Sequence, residues 1–186
     1  MLWEVVINFL KGGQKKLKLF MIGLFSVLGF LLLANLFEGK LFYSNVTNSA
    51  PRGIYMVSMN QNLQYGDYVI ISLPIDVPKL HVEKGFLLLK QIRGFPGDVY
   101  TVSDHALVIR GESYKIFQQE GLPEVEAGEK QIPEEEILLL NDMERSFDSR
   151  YLGPIPKALI VKKVELFLSY EPFICFIEKV MTNGNS

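Results

Sequence analysis

Residues 19–37, LFMIGLFSVLGFLLLANLF, carry no charged side chain, and no other feature limits the fold of this chain more. A helix rising about 1.5 Å per residue crosses most of a bilayer core of about 30 Å over such a run. A buried core helix would show one apolar stripe, whereas this run is apolar on every face. A cleaved signal peptide fits less well, because the run and the region before it are both long and no small-x-small pair follows closely. The run reads as an uncleaved anchor. Lys11, Lys15, Lys16 and Lys18 precede it, while only Lys40 and Arg52 follow soon after. The positive-inside bias then leaves the N-terminus in the cytoplasm and the body outside. The opening MLWEVVINFL reads as a short interfacial helix with Trp3 at the headgroups.

Behind the anchor the pattern turns strand-like. Short runs rich in β-branched and aromatic residues occur at 54–57, 68–73, 85–92, 99–102, 107–110, 137–140, 158–164 and 165–170, separated by Gly, Pro, Asp and Asn. No long amphipathic helix interrupts them, so the body is expected to be mostly β, a sandwich or barrel. The acidic stretch 118–136, with Pro123 and Pro133, reads as an exposed loop. PFICFI, 172–177, reads as a final core strand, with a shallow membrane contact as the alternative, and the tail from Thr182 as polar.

Composition excludes several chemistries. The formal net charge is -2, which gives no basic footprint for nucleic acid. Cys175 is the one cysteine, so an internal disulfide and a cysteine-rich metal site are both ruled out. His81 and His105 lack ligand-like spacing and read as surface residues. No metal and no cofactor is expected, and serine chemistry here has to work without a histidine base.

The stretch NVTNSAPRGIYMV, 45–57, sets Ser49 beside turn-forming residues. Pro51 fixes its own φ and pushes Ala50 toward an extended conformation, and Gly53 admits a closely approaching ligand backbone. Thr47 is placed to offer its hydroxyl to a developing oxyanion beside the Ser49 N–H; a local turn bond is the plainer alternative. Asn45-Val46-Thr47 also matches a glycosylation sequon, a triplet common by chance. Lys90 follows the apolar run 86–89. In a strand it shares a face with Leu88 and Ile92. If that face is the core, burial lowers the lysine pKa and makes it a base for Ser49. Otherwise Lys90 is a strand-end lysine that snorkels to water.

The pieces SAPRGIY, GDYVI, KQIRGFPGD and ERSFDSRYLGPIP, in that order behind an anchor, resemble the type I signal peptidases. Within them the pattern is most similar to the TraF-type peptidases of conjugative transfer, since Ser49-Ala50-Pro51 replaces the Ser-Met-x-Pro of general signal peptidases. The last box departs too: Asn141-Asp142-Met143 stands for the usual Gly-Asp-Asn. The resemblance implies a signal-peptidase-like β catalytic domain behind one N-terminal transmembrane helix, with Ser49 as nucleophile and Lys90 as general base. It places Thr47 and the Ser49 N–H in the oxyanion hole. It implies that Ser146 orients the lysine, that Asp148 and Arg150 pair near the site, and that Gly94, Pro96, Gly97 and Asp98 form a scaffold turn. Without the resemblance, Ser146 reads as a turn cap and Asp148–Arg150 as a surface pair.

The expected organisation is a cytoplasmic or interfacial segment at 1–18, an anchor at 19–37, an extracytoplasmic Ser/Lys peptidase domain at 38–181 and a polar tail at 182–186. The expected location is the bacterial cytoplasmic membrane, single-pass with the N-terminus inside. The expected partners are the membrane and an anchored precursor or pilin-like substrate, with no nucleic acid. General processing of secreted preproteins, and an inactive peptide-binding scaffold, are the competing readings.

Overall fold

The computed structural model describes residues 17–30, 32, 33, 36 and 40–175. The interfacial helix expected at 1–10, anchor positions 31, 34, 35 and 37, and the tail from 182 lie outside the described residues. The chain divides into two compact units between Leu41 and Phe42.

In the first unit, residues 17–30 are helical. Leu19, Phe20, Ile22, Phe25, Val27 and Phe30 all expose more than half of their surface, and at 100° per residue they are spread around the helix. Among the described residues, no helix is long and apolar enough to cross a membrane.

The second unit is mostly β. One sheet has seven strands in the order β1-β2-β11-β3-β4-β9-β10, and the other has four in the order β7-β6-β5-β8. The large sheet comprises β1 (Phe42–Asn45), β2 (Gly53–Val57), β3 (Tyr68–Ser72), β4 (Leu87–Gly94), β9 (Glu136–Leu140), β10 (Ile155–Pro156) and β11 (Ile160–Ser169). The small sheet comprises β5 (Val99–Val102), β6 (Ala106–Ile109), β7 (Glu112–Lys115) and β8 (Gly128–Gln131). Among the described residues all pairings are antiparallel, and β11, the last strand there, lies between β2 and β3.

Strand β9 explains why ILLL is apolar without alternation. Leu138 and Leu140 pack with Tyr100, Leu107 and Ile109 of the small sheet. Ile137 and Leu139 face the other way and pack with Val69, Ile71 and Ile92. A strand covered on both faces needs apolar residues at every position. A third cluster joins Tyr55, Ile70 and Val164.

Several local expectations are corrected. The two strands expected at 158–164 and 165–170 are one strand, β11, preceded by a 3-10 turn at Lys157–Leu159. The acidic loop expected at 118–136 contains β8, which pairs with β5 although its side chains are polar. Residues 171–175 form a helical turn, not a core strand, and Phe173 is exposed. Gly53 lies against the backbone of β11: a Cβ there would strike the carbonyl oxygen of Leu168. The glycine is needed so that β2 can pair closely with β11.

Candidate active site

Ser49 sits in the loop 46–52 that joins β1 to β2, half-buried, with Thr47 exposed beside it. The two hydroxyls are 2.8 Å apart. The loop is organised from beneath by Asn45, the last residue of β1, which is 8% exposed. Its Nδ2 donates to the carbonyls of Thr47, Ala50 and Pro51 at 3.2, 3.0 and 3.1 Å. Its Oδ1 accepts from the Thr47 N–H at 3.2 Å and from the Thr47 hydroxyl at 2.7 Å. The buried Tyr55 hydroxyl adds a 2.8 Å bond to the Pro51 carbonyl. Sequence reasoning gave Asn45 as a sequon residue and as the first position of the pattern NxTxSxPxGxY, with no role in the site. With its amide nitrogen turned onto three carbonyls, it is not presented as a glycosylation acceptor. The signal that marks it is an asparagine at a strand end two residues before the hydroxyl pair.

Lys90 lies in the middle of β4, directly opposite Val69 of β3, and is 2% exposed. Leu88 and Ile92, two residues to either side, pack into the second core. The snorkelling alternative therefore does not apply. Desolvation pushes its ammonium pKa from 10.5 down to about 8; Asp148 raises it and Arg150 lowers it. Its Nζ donates to the Ser146 hydroxyl at 3.0 Å. A neutral amine held by that bond still keeps its lone pair for a second partner.

Ser146 reaches Lys90 because the connection 141–146 is folded around one side chain. Arg150, at 2% exposure, belongs to the short helix Ser149–Leu152. It donates to the carbonyls of Asn141, Met143 and Glu144 at 2.9 to 3.0 Å, and to Lys115 at 3.3 Å. Asp148, at the helix N-cap, holds the guanidinium at 2.7 and 2.8 Å and accepts from the Asn141 N–H at 3.2 Å. The pair is buried, not a surface pair. Asn141, the departure noted in the last box, ties this connection to β4 by donating to the Leu89 carbonyl at 3.1 Å.

Ser49 and Lys90 line one open groove of about 900 Å³, whose walls are largely apolar, with Tyr55, Ile70, Val82 and Phe86 among them. No hydrogen bond joins Ser49 to Lys90: Ser49 is bonded to Thr47, and Lys90 to Ser146. Catalytic hydrogen bonds commonly tighten only around substrate. The structure thus brings Thr47 to Ser49, Ser146 to Lys90 and Asp148 to Arg150, and Thr47, Ser49 and Lys90 line one groove. The GFPGD turn lies elsewhere. Gly97 has φ +87°, the Asp98 N–H donates to the Phe95 carbonyl, and the Asp98 carboxylate accepts from Tyr65. Gly94 packs where a Cβ would meet Ile132 and Ile109 at 2.5 and 2.6 Å, so this segment fixes the far end of β4. His81 and His105 are exposed. Among the described residues, no group of three His, Cys, Asp or Glu side chains is placed to hold a metal ion.

A family model described as signal peptidase, peptidase S26, matches residues 16–169. The plasmid transfer protein TraF of Escherichia coli is 25% identical over 146 residues, which is 68% of this chain and 82% of that one. A signal peptidase I of Enterococcus faecalis V583, of known crystal structure, is 21% identical. That match covers 58% of this chain and 100% of the other at a TM-score of 0.38.

Proposed function

Since the chain belongs to the signal peptidase family, peptidase S26, we propose that it is a membrane-anchored serine endopeptidase with a Ser49/Lys90 dyad. The single observation that carries this reading is Lys90. A lysine at 2% exposure with its pKa pushed down to about 8 opens onto the same groove as a half-buried serine.

In this reading neutral Lys90 takes the Ser49 proton as Oγ attacks the scissile carbonyl carbon. The oxyanion is met by the Ser49 N–H and the Thr47 hydroxyl. The ammonium of Lys90 then gives its proton to the leaving amine, and water resolves the ester. Ser146 keeps the amine aimed, and Asp148 with Arg150 keeps Ser146 in reach. The apolar groove suits an extended precursor segment. The run 19–37 anchors the enzyme in the bacterial cytoplasmic membrane, with residues 38–181 outside, so that anchored substrates meet it at high local concentration. Similarity to a plasmid transfer protein and the Ser-Ala-Pro order favour a conjugative-transfer or pilin-like precursor over general secretory preproteins.

The test is cleavage, in membranes, of a candidate anchored precursor by wild type, Ser49→Ala and Lys90→Ala. Wild type is expected to cut and both inserted, folded variants to fail. Equal cutting by all three would remove Ser49 from the reaction. Binding of precursor by a wild type that cuts none of a panel of precursors would favour the scaffold.

A further inference from the structure

Hydrogen-bond accounting around Asn45 fixes where the Ser49 proton points. Three backbone carbonyls, those of Thr47, Ala50 and Pro51, lie against one end of the Asn45 amide, and a backbone N–H lies against the other. Carbonyls only accept and an N–H only donates, so the amide has one allowed orientation, with Nδ2 on the carbonyls and Oδ1 on the Thr47 N–H. The Thr47 hydroxyl lies 2.7 Å from that same Oδ1, which has no proton to give. The single Thr47 proton is therefore spent on Asn45. It follows that in the 2.8 Å contact between Thr47 and Ser49, Ser49 is the donor.

We propose that Asn45 is a positioning residue that sets the proton order of the Asn45–Thr47–Ser49 chain, holding the Ser49 proton on Thr47 and away from Lys90 until substrate binds. The inference rests on the reading of Ser49 as nucleophile. A substrate carbonyl oxygen entering beside the Ser49 N–H is a new acceptor for the Thr47 hydroxyl. As that hydroxyl turns from Oδ1 to the carbonyl oxygen, Ser49 turns from Thr47 to the lone pair of Lys90. Each hydroxyl keeps its proton in this exchange; only acceptors change. Asn45 Oδ1 retains the Thr47 N–H, and Nδ2 retains its three carbonyls, so the loop holds its shape while the order switches. The free enzyme thus keeps its nucleophile unactivated toward water.

The experiment is a double-mutant cycle on the full-length enzyme in membranes, with an anchored precursor that wild type cuts. Asn45→Ala is expected to lower kcat roughly 10- to 100-fold with KM nearly unchanged, because Thr47 loses the Oδ1 contact to its N–H that keeps its hydroxyl in reach of the carbonyl oxygen, a loss of alignment. In a Thr47→Val background the same change is expected to cost no more than about 2-fold, because Asn45 acts through that hydroxyl. Asn45→Asp keeps an acceptor for Thr47 and loses both N–H donors that serve the three carbonyls. It is expected to unfold at no higher temperature than Asn45→Ala and yet turn over faster. Multiplicative losses in the double variant, wild-type kcat in Asn45→Ala, or activity that simply follows the unfolding temperature across the variants would each overturn the proposal. A Ser49→Ala enzyme that still cuts would defeat the nucleophile reading itself, and the proposal with it.

Discussion

At the scale of single residues, Lys90 carries the largest conflict between stability and chemistry. Its pKa is about 8 in the folded chain and 10.5 as an ordinary lysine. Below pH 8 both states bind the proton and the folded state bears the full desolvation cost. Between those two values the unfolded state binds more protons, so stability rises with pH; above 10.5 the cost is gone. Replacing Lys90 by Met is expected to raise the unfolding temperature at pH 7, with a gain of roughly 3 kcal/mol at most. Thermal melts should show that gain shrinking as pH climbs past 8. The same pKa sets the kinetics: kcat/KM should rise with pH through an apparent value near 8. A profile with no rising limb from pH 6 to 9 would remove Lys90 as the base. Lys90 was legible in the chain because a charge inside an apolar strand pattern has only two outcomes, burial or snorkelling. Which outcome holds depends on Val69 across the strand pair and on Ser146 at 56 residues' remove, and neither is visible from local pattern.

At the scale of elements, the connection 141–146 has little regular structure and is shaped by one guanidinium. Arg150→Ala would take the guanidinium from three connection carbonyls, of which only that of Met143 keeps another donor in the Ser146 N–H, and would leave the buried Asp148 carboxylate only the backbone N–H groups of Asn141 and residue 150. The expected loss is about 3–5 kcal/mol, together with loss of activity as Ser146 leaves Lys90. Arg150→Lys cannot reproduce a planar fork serving several acceptors and should be nearly as damaging. Denaturant unfolding and cleavage measured on the same samples check both. Near-native stability in Arg150→Ala would show that the connection is held by something else. Gly53→Ala is also expected to destabilise, because its Cβ would strike the Leu168 backbone. The strands that carry the groove were readable because their apolar residues sit on one or both buried faces. β1, β7, β8 and β10 were not: they are short, and FYSN, ESYK, GEKQ and IP lack the alternating signal that distinguishes a strand from a turn. The helical turn at 171–175 was misread because an apolar run of that length has no periodicity to separate helix from strand.

At the scale of the whole molecule, the boundary at Leu41 and Phe42 separates a helical unit from a β unit with three apolar clusters of its own. A chain beginning at Phe42 is therefore expected to fold cooperatively, with an unfolding temperature close to that of the full-length protein in detergent. Multiple unfolding transitions would refute this. The β character was legible because it is a statement about composition over many residues. The groove was not, since it depends on long-range strand order.

That strand order has a consequence for how the groove comes to be assembled. Among the described residues β11 is the last strand to be synthesised, and it is the seam between the β1–β2 hairpin with Ser49 and the β3–β4 pair with Lys90. Until residues 160–169 emerge, Ser49 and Lys90 belong to two halves with no shared ladder. A nascent chain that has not yet made β11 therefore holds the two sides of the groove apart, however long it waits. The walls meet only when the ladder from β2 to β3 is closed, so the order of synthesis makes the groove a late product of folding.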